Sequence, residues 1–312
     1  MSRIFVAGAS GAVGRPLVRR LVEAGHDVTG MTRREAAAVE IQAAGAKAAV
    51  CDVYDRDALG RAIADARPEV LVHELTALPD VFDFRDPDLY VPTNRVRTEG
   101  TRNLIAAARE AGTDRIVAQS IAFVYDPVGD WVKAEDAPVM ETAPGPFGDA
   151  LRSVFDLEHQ VTGAEGMDGV VLRYGFFYGP GTAYAADGYY AGEVRRRRFP
   201  VVGRGEGTFS FIHTEDAGAA TAAACEGGPP GIYNVCDDDP ARMRDWVPAY
   251  AEAVGAKRPL RVPVFLARLV AGSAAAALAT ETRGATNEKA KRELEWQLRY
   301  PTWRQGFREA LG

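Results

Sequence analysis

The stretch Ile4-Phe-Val-Ala-Gly-Ala-Ser-Gly-Ala-Val-Gly14 limits what this chain can fold into more than any other. An apolar run ends in three glycines, Gly8, Gly11 and Gly14, and an amphipathic segment begins at once. A strand, a tight turn and a helix in that order bring backbone amides and a helix N-terminus to one point, the surroundings a pyrophosphate needs. Gly8, Ser10, Gly11, Ala12, Val13 and Gly14 are therefore candidates for holding a dinucleotide.

The rest of the N-terminal half supplies the context that a glycine motif needs. Apolar runs, "IFVAGA", "DVTGM", "AKAAVCD", "VLVHEL", "RIVAQS" and "GVVLRY", alternate with segments whose spacing predicts helices over 15–24, 35–44, 57–66, 95–111 and 150–162. Strands that are apolar almost throughout belong to a parallel sheet covered on both faces. Gly25, Gly45 and Gly112 fall where three of these helices should stop. The expected fold is α/β: a βαβ series with a parallel sheet over 1–173 and a smaller second lobe in 174–312. After Tyr174 the regularity gives way to loops rich in Gly, Pro and Tyr, and no internal repeat is visible.

Composition narrows the partners. The 312 residues are 47% hydrophobic and 26% charged, as in an ordinary globular protein. A net charge of -6 is the wrong sign for a nucleic-acid footprint and leaves a small molecule as the expected ligand. Cys51, Cys225 and Cys236 are widely spaced and odd in number, which supports neither a disulfide framework nor a zinc site. The chain runs from Met1-Ser-Arg3 straight into an apolar strand, so a cytoplasmic location is expected. The apolar segment Val264 to Ala279 contains Arg268 and falls short of the roughly 20 residues of a spanning helix, so it is expected to pack on the protein.

At the end of the second strand an NAD-binding sheet usually carries an acid for the ribose hydroxyls, whereas this chain has Thr32-Arg33-Arg34. Arg33 and Arg34 suit a 2′-phosphate, so NADP is expected, with NAD left open. Asp52, ending the third strand, is placed to accept from an adenine amino group.

With "GASGAVG", the pieces "VLVHELTA", "EGTRNLIAAAREAG", "RIVAQS", "VVLRYGFFYGPG", "FSFIHTEDAGAA", "GIYNV" and "RGATNEKAKRELEWQLRYPTWRQGF" occur in an order that resembles the extended short-chain dehydrogenase/reductases, the NAD-dependent epimerase/dehydratase family. The resemblance covers nearly the whole chain and implies a doubly wound parallel Rossmann sheet over 1–173, joined by strands from about 208–240, with a C-terminal substrate-binding lobe in 174–312. It implies coenzyme contacts from Val53, Leu75, Thr76, Ala77, Arg97, Tyr174, Phe176 and Phe177 as well, and dimerisation through the helices over 95–111 and 150–162 into a homodimer.

The family's catalytic set does not carry over. No tyrosine here has a lysine four residues on, and aligning the helix on Leu157-Glu158 puts Ala150 at the tyrosine position and Val154 at the lysine position. In "QSIAFVYD" the family's second hydroxyl is Ile121, and its asparagine on the neighbouring helix is Arg97, with Asn94 about one turn earlier. Four departures at four functional positions point to a site refitted for another reaction. The residues left to handle a proton are Ser120, Tyr174 and Tyr178, with Gln119 as an amide partner for nicotinamide or substrate and Tyr125 chiefly structural. Arg195 and Arg198 would share a helix face as a solvated pair or an anion clamp, and His73 and His213 read as packed positions.

The leading expectation is an NADP(H)-dependent oxidoreductase acting on a small carbonyl or conjugated substrate. A nucleotide-sugar epimerase or dehydratase with non-standard residues is the second reading, and a silent coenzyme-binding sensor the third.

Overall fold

The alternation of segments builds one seven-stranded sheet in the computed structural model, which describes residues 1–79 and 81–311. The chain begins β1 (Arg3–Ala7), α1 (Gly14–Glu23), β2 (Asp27–Thr32), α2 (Glu35–Ala43), β3 (Lys47–Val50), α3 (Arg56–Ala66) and β4 (Val70–His73). A continuous helical run follows, made of α4 (Val91–Arg95), a π turn (Val96–Gly100) and α5 (Thr101–Glu110). Then come β5 (Arg115–Ile121), the short β6 (Val132–Lys133), α6 (Phe147–Thr162), β7 (Asp168–Tyr174) and β8 (Phe176–Tyr178). The last part holds α7 (Tyr189–Arg195), β9 (Val201–Val202), β10 (Thr208–Phe209), β11 (Phe211–His213), α8 (Thr214–Glu226), β12 (Gly231–Val235), α9 (Met243–Ala253), α10 (Val264–Glu281), α11 (Glu288–Glu293) and α12 (Trp303–Ala310).

The sheet order is β12-β7-β5-β4-β1-β2-β3, and every neighbouring pair is parallel. Winding therefore reverses between β1 and β4, and ligands of such sheets bind outside the carboxyl ends at that point. Buried stripes cover both faces. Leu17, Val18 and Leu21 of α1 and Ala217, Ala220 and Ala224 of α8 pack on one face, and Leu59, Ile63, Leu104, Leu157 and Val161 of α3, α5 and α6 on the other. A third, aromatic core of Tyr178, Tyr184, Phe211, Trp246, Tyr250, Trp303 and Phe307 forms the C-terminal lobe.

Three local expectations are corrected. The helix expected over 95–111 starts at Val91 and widens into a π turn at Val96–Gly100. The helix before the arginine run ends at Arg195 and Arg197 turns left-handed at φ 58°, so Arg195 and Arg198 share no helix face. Helix α10 breaks at Gly272, where φ is 89°, and its first half leaves Phe265, Leu269 and Val270 exposed, with Ala267, Ala274, Ala276 and Ala279 as its buried contacts. Only when counted across that break does α10 reach the length and apolarity of a membrane-crossing helix.

Two buried polar groups lock the sheet to its helices. On the α6 face, Arg173 of β7 donates from Nε and Nη2 to both Glu158 oxygens at 2.8 and 2.6 Å, and Ser120 donates to the same carboxylate at 2.6 Å. Arg173 also donates to Tyr125 Oη at 3.2 Å, and that phenol donates to Asn234 of β12 at 2.6 Å. On the α8 face, Tyr174 Oη donates to Glu74 at 2.9 Å and lies 2.6 Å from Thr221 Oγ1. Burial pushes the Glu74 carboxyl up to about 8 against the smaller opposing effect of the Tyr174 hydrogen bond, which keeps it mostly protonated at neutral pH.

The Glu158 and Arg173 side chains are only 5% and 4% exposed, so removing one strands a buried charge. Glu158→Ala is expected to cost about 3–5 kcal/mol of unfolding free energy in denaturant melts, and the Glu158→Met/Arg173→Met double variant to recover most of it. Equal stability of the single variant and the unaltered protein would contradict this assignment. Glu74 titrates higher folded than unfolded, so its favourable contribution is complete below pH 4.5 and is lost as pH rises towards 8. Glu74→Gln should gain on the unaltered protein by up to about 1.4 kcal/mol per pH unit across that window, then run parallel above it. Melts at stepped pH check the slope, and a difference that shrinks with rising pH would refute it.

Candidate active site

At the switch point the turn after β1 has room for a phosphate because it has no side chains in the way. Gly8 takes φ 98°, and a Cβ there would meet the Glu74 carbonyl oxygen at 2.6 Å. A Cβ on Gly14 would lie 2.1 Å from the Gly8 carbonyl oxygen, so the helix can start against the turn only as glycine. Helix α1 has no side-chain cap and no acid in its first turn. Among the described residues the backbone amides of Ser10, Ala12 and Val13 have no hydrogen-bond partner in the protein. Unpaired amides at an uncapped, acid-free helix start fit a diphosphate. From the opposite side, a Cβ on Gly181 would sit 3.7 Å from that of Ala12, so the loop after β8 meets this turn.

The residues expected to meet the adenosine lie at and just beyond the carboxyl ends of β2 and β3. Thr32 is buried, with its hydroxyl 3.5 Å from Ser10 Oγ and accepting from the Arg34 amide at 3.3 Å. Arg33 and Arg34 project outward, and Arg33 Nη1 is 4.0 Å from an Asp52 oxygen in a pair exposed enough for a ligand to compete. Asp52 also accepts from the Tyr54 amide at 2.9 Å. Val53 is buried, and its carbonyl accepts from Asn103 at 3.0 Å.

At the other end, the segment leaving β4 carries half-buried Leu75, exposed Thr76 and Ala77, whose amide donates to Thr93 Oγ1 at 3.4 Å. Gln119 is half-buried near the end of β5, its side chain without a hydrogen-bond partner among the described residues. Phe176 and Phe177 are half-buried: Phe176 stacks on Phe123 at 4.3 Å between centroids, and Phe177 leans on Tyr174 at 5.1 Å. The Arg97 guanidinium has no ion pair or hydrogen bond among the described residues. Burial draws its pKa down to about 10, which still leaves it charged at neutral pH.

The three hydroxyls expected to handle a proton are not at this crest, and pleat and burial explain why. Ser120 points to the α6 face and is committed to Glu158. Tyr174 points to the opposite face with Val170 and Leu172, fully buried against Thr221 and Glu74. Tyr178 is fully buried in the aromatic core against Phe307 and His213, and its hydroxyl has no partner among the described residues. The expectation of a proton donor among them is therefore withdrawn. Asn94 accepts from Ser153 of α6 at 2.8 Å, and Tyr125 is held inside the Arg173 network. His213 caps α8 by accepting from the Glu215 amide. His73 accepts from the Leu75 amide through Nδ1, leaving Nε2 to donate to Thr101 at 3.0 Å, and burial holds its pKa down at about 4.

The positions aligned with the family's acid and base group meet in space. Val154 is buried with Val124 and Leu151 in a cluster against which Ile121 and Phe147 pack, and Ala150 is buried one turn before Val154. Sequence reasoning missed the half-buried rings beside this cluster. Phe147 lies 6.3 Å from Phe123 and 6.2 Å from Tyr90, so Tyr90, Phe147, Phe123 and Phe176 form a continuous aromatic wall. Phe123 was visible two residues after Ile121, but a lone phenylalanine beyond a strand carries no spacing signal.

A family model described as "NAD dependent epimerase/dehydratase family" matches residues 4–236. A "3-diazoavenalumate denitrifying reductase" from Streptomyces sp is 43% identical over 98% of this chain and 99% of its own length. A "4-hydroxy-2-methyl-3-oxo-4-farnesyl-3,4-dihydroquinoline-1-oxide ketoreductase" from Stigmatella aurantiaca is 28% identical over 86% of this chain and 78% of its own. Among solved structures, a UDP-glucose 4-epimerase from Thermus thermophilus in complex with NAD superposes with TM-score 0.76 at 23% identity, covering 99% of this chain and 97% of that one. A UDP-glucose 4-epimerase from Thermotoga maritima with UDP-glucose gives 0.77 at 19% identity, over 99% and 97%. The structural likenesses speak for the fold, the NAD-dependent family model for a nicotinamide nucleotide, and the full-length reductase relative for oxidoreductase-type chemistry. With its uncapped glycine turn at the switch point of a doubly wound sheet, this chain is an enzyme that belongs to the NAD-dependent epimerase/dehydratase family.

Proposed function

We propose that the protein is an NADP(H)-dependent reductase that removes a diazo group from an aromatic compound. The observation that carries this reading is the apolar cluster of Ile121 and Val154 beside Ala150, where the family's hydroxyl, amine and phenol would stand. Reducing a ketone leaves an alkoxide that must gain a proton, and epimerising a sugar begins by removing one from a hydroxyl. Both reactions need the group that these three residues lack. Loss of a diazo group makes no such demand.

The coenzyme supplies a hydride with its two electrons. At the diazo-bearing carbon a C–H bond forms as the C–N bond breaks, and the nitrogen pair leaves as N2, itself the leaving group that takes the C–N electrons. The protein's part is to bind, orient and exclude water, which the glycine turn, the aromatic wall and the apolar cluster are suited to do. The full-length likeness to a denitrifying reductase supports the same chemistry. The ketoreductase relative favours a second reading, reduction of an activated ketone, with water in place of the missing phenol.

The two readings separate in one experiment. With 4-deuterated NADPH and an ortho-hydroxyaryl diazo compound, absorbance at 340 nm should fall, N2 should appear in equal amount, and deuterium should lie on the carbon that carried nitrogen. Oxidation of NADPH by ketones, with the diazo compound untouched, would replace the first reading by the second. For the coenzyme, Arg33 follows the carboxyl end of β2 with an exposed guanidinium, and the strand ends in Thr32 where an NAD-binding sheet usually carries an acid. Arg33→Ala should raise the Kd for NADPH about tenfold and leave that for NADH nearly unchanged. Equal weakening of both in fluorescence titration would point away from a 2′-phosphate contact.

A further inference from the structure

We propose that Arg97 is the anion-binding residue for the substrate, a planar aromatic anion whose ring stacks on the wall of Phe123 and Phe176 while its carboxylate or phenolate meets the guanidinium. This rests on the reading of a reductase for an aromatic compound and adds the charge and shape of what it takes.

Three observations place Arg97 there. On the helical run from α4 to α5, Thr93 and Thr101 lie one turn to either side of it. Both are tied to the β4 exit, Thr93 by the Ala77 amide at 3.4 Å and Thr101 by His73 Nε2 at 3.0 Å. Arg97 sits between them in the π turn, a distortion that displaces a side chain from ordinary helical spacing and recurs at functional sites. It therefore faces the carboxyl end of the sheet. It also lies within electrostatic reach of His73, Tyr90 and Glu158. Tyr90 is the first ring of the aromatic wall.

The second observation is its charge. Glu158 is the carboxylate in reach, and it already accepts from Arg173 at 2.8 and 2.6 Å and from Ser120 at 2.6 Å. With His73 neutral, the Arg97 charge is left unbalanced among these groups. A half-buried cation without a partner costs free energy that an incoming anion restores. The third is the wall itself. Tyr90, Phe123, Phe147 and Phe176 are all half-buried, while the rings of the neighbouring lobe core, such as Tyr184, Phe211 and Trp246, are closed to solvent. Flat, partly open rings whose first member, Tyr90, lies within electrostatic reach of a guanidinium suit a flat, negatively charged arene.

The test uses binding alone, so it stands whether or not the diazo reading does. The NADPH-loaded full-length protein is titrated with 4-hydroxycinnamate and, separately, with its neutral amide. The carboxylate should bind at least about tenfold more tightly than the amide. In Arg97→Ala that preference should vanish, in Arg97→Lys part of it should return, and the Kd for NADPH should stay within about twofold. Phe123→Ala should weaken both probes by the same factor. Equal binding of both probes by the unaltered protein overturns the proposal without any variant, and so does absence of binding of either at millimolar concentration. A loss of NADPH affinity in Arg97→Ala as large as the loss for the carboxylate overturns it as well, because Arg97 would then belong to the coenzyme.

Discussion

The arrangement of this site hangs on one carboxylate. Glu158 receives three hydrogen bonds from β5 and β7, from Ser120 and the two arms of Arg173, and so fastens α6 to the middle of the sheet. Because α6 cannot slide or turn, Ala150 and Val154 are held at the sheet's carboxyl end, and Val154 joins the cluster on which Ile121 of β5 packs. The same bonds use up the charge of Glu158, which leaves Arg97 without a partner among the described residues. One buried interaction thus sets both the apolar character of the proposed reaction site and the sign of the charge on the helix beside it.

Most of the fold could be read from the sequence because parallel strands covered on two faces are apolar at every position, and because the helices between them carry narrow buried stripes. The glycine turn was legible for a similar reason: Gly8 and Gly14 are required by backbone clashes that any side chain would cause. Boundaries set by local geometry were harder. Nothing in "VPTNRVRTEGTRN" announces a π turn at Val96–Gly100, and the arginine run gives no sign that Arg197 leaves the helix with φ 58°.

The active-site hydroxyls were misjudged for a physical reason that the sequence does contain. Side chains alternate along a strand, so Tyr174 follows Val170 and Leu172 into the α8 face, and Ser120 follows Ala118 to the α6 face. Lying at the end of a strand does not place a side chain at the crest. Tyr178 could not have been settled in this way, because its burial comes from α12, far along the chain, where Phe307 packs on it. The aromatic wall is non-local too: Tyr90, Phe123, Phe147 and Phe176 come from four separate segments and become a surface only when the sheet is assembled.

In the proposed reading the glycine turn keeps its hold on the coenzyme, while the positions aligned with the family's proton-handling groups carry hydrocarbon. The central claim is that reduction at this site proceeds without a protein acid. The most direct measurement is a pair of isotope effects on single-turnover NADPH oxidation with an aromatic diazo substrate, followed from pH 6 to 9. The account expects a primary effect of about 2 or more with 4-deuterated NADPH, a solvent effect of about 1, and a rate that does not change with pH. A solvent effect of about 2 or more, with a rate that titrates in that range, would mean that a protonated group takes part and would contradict it.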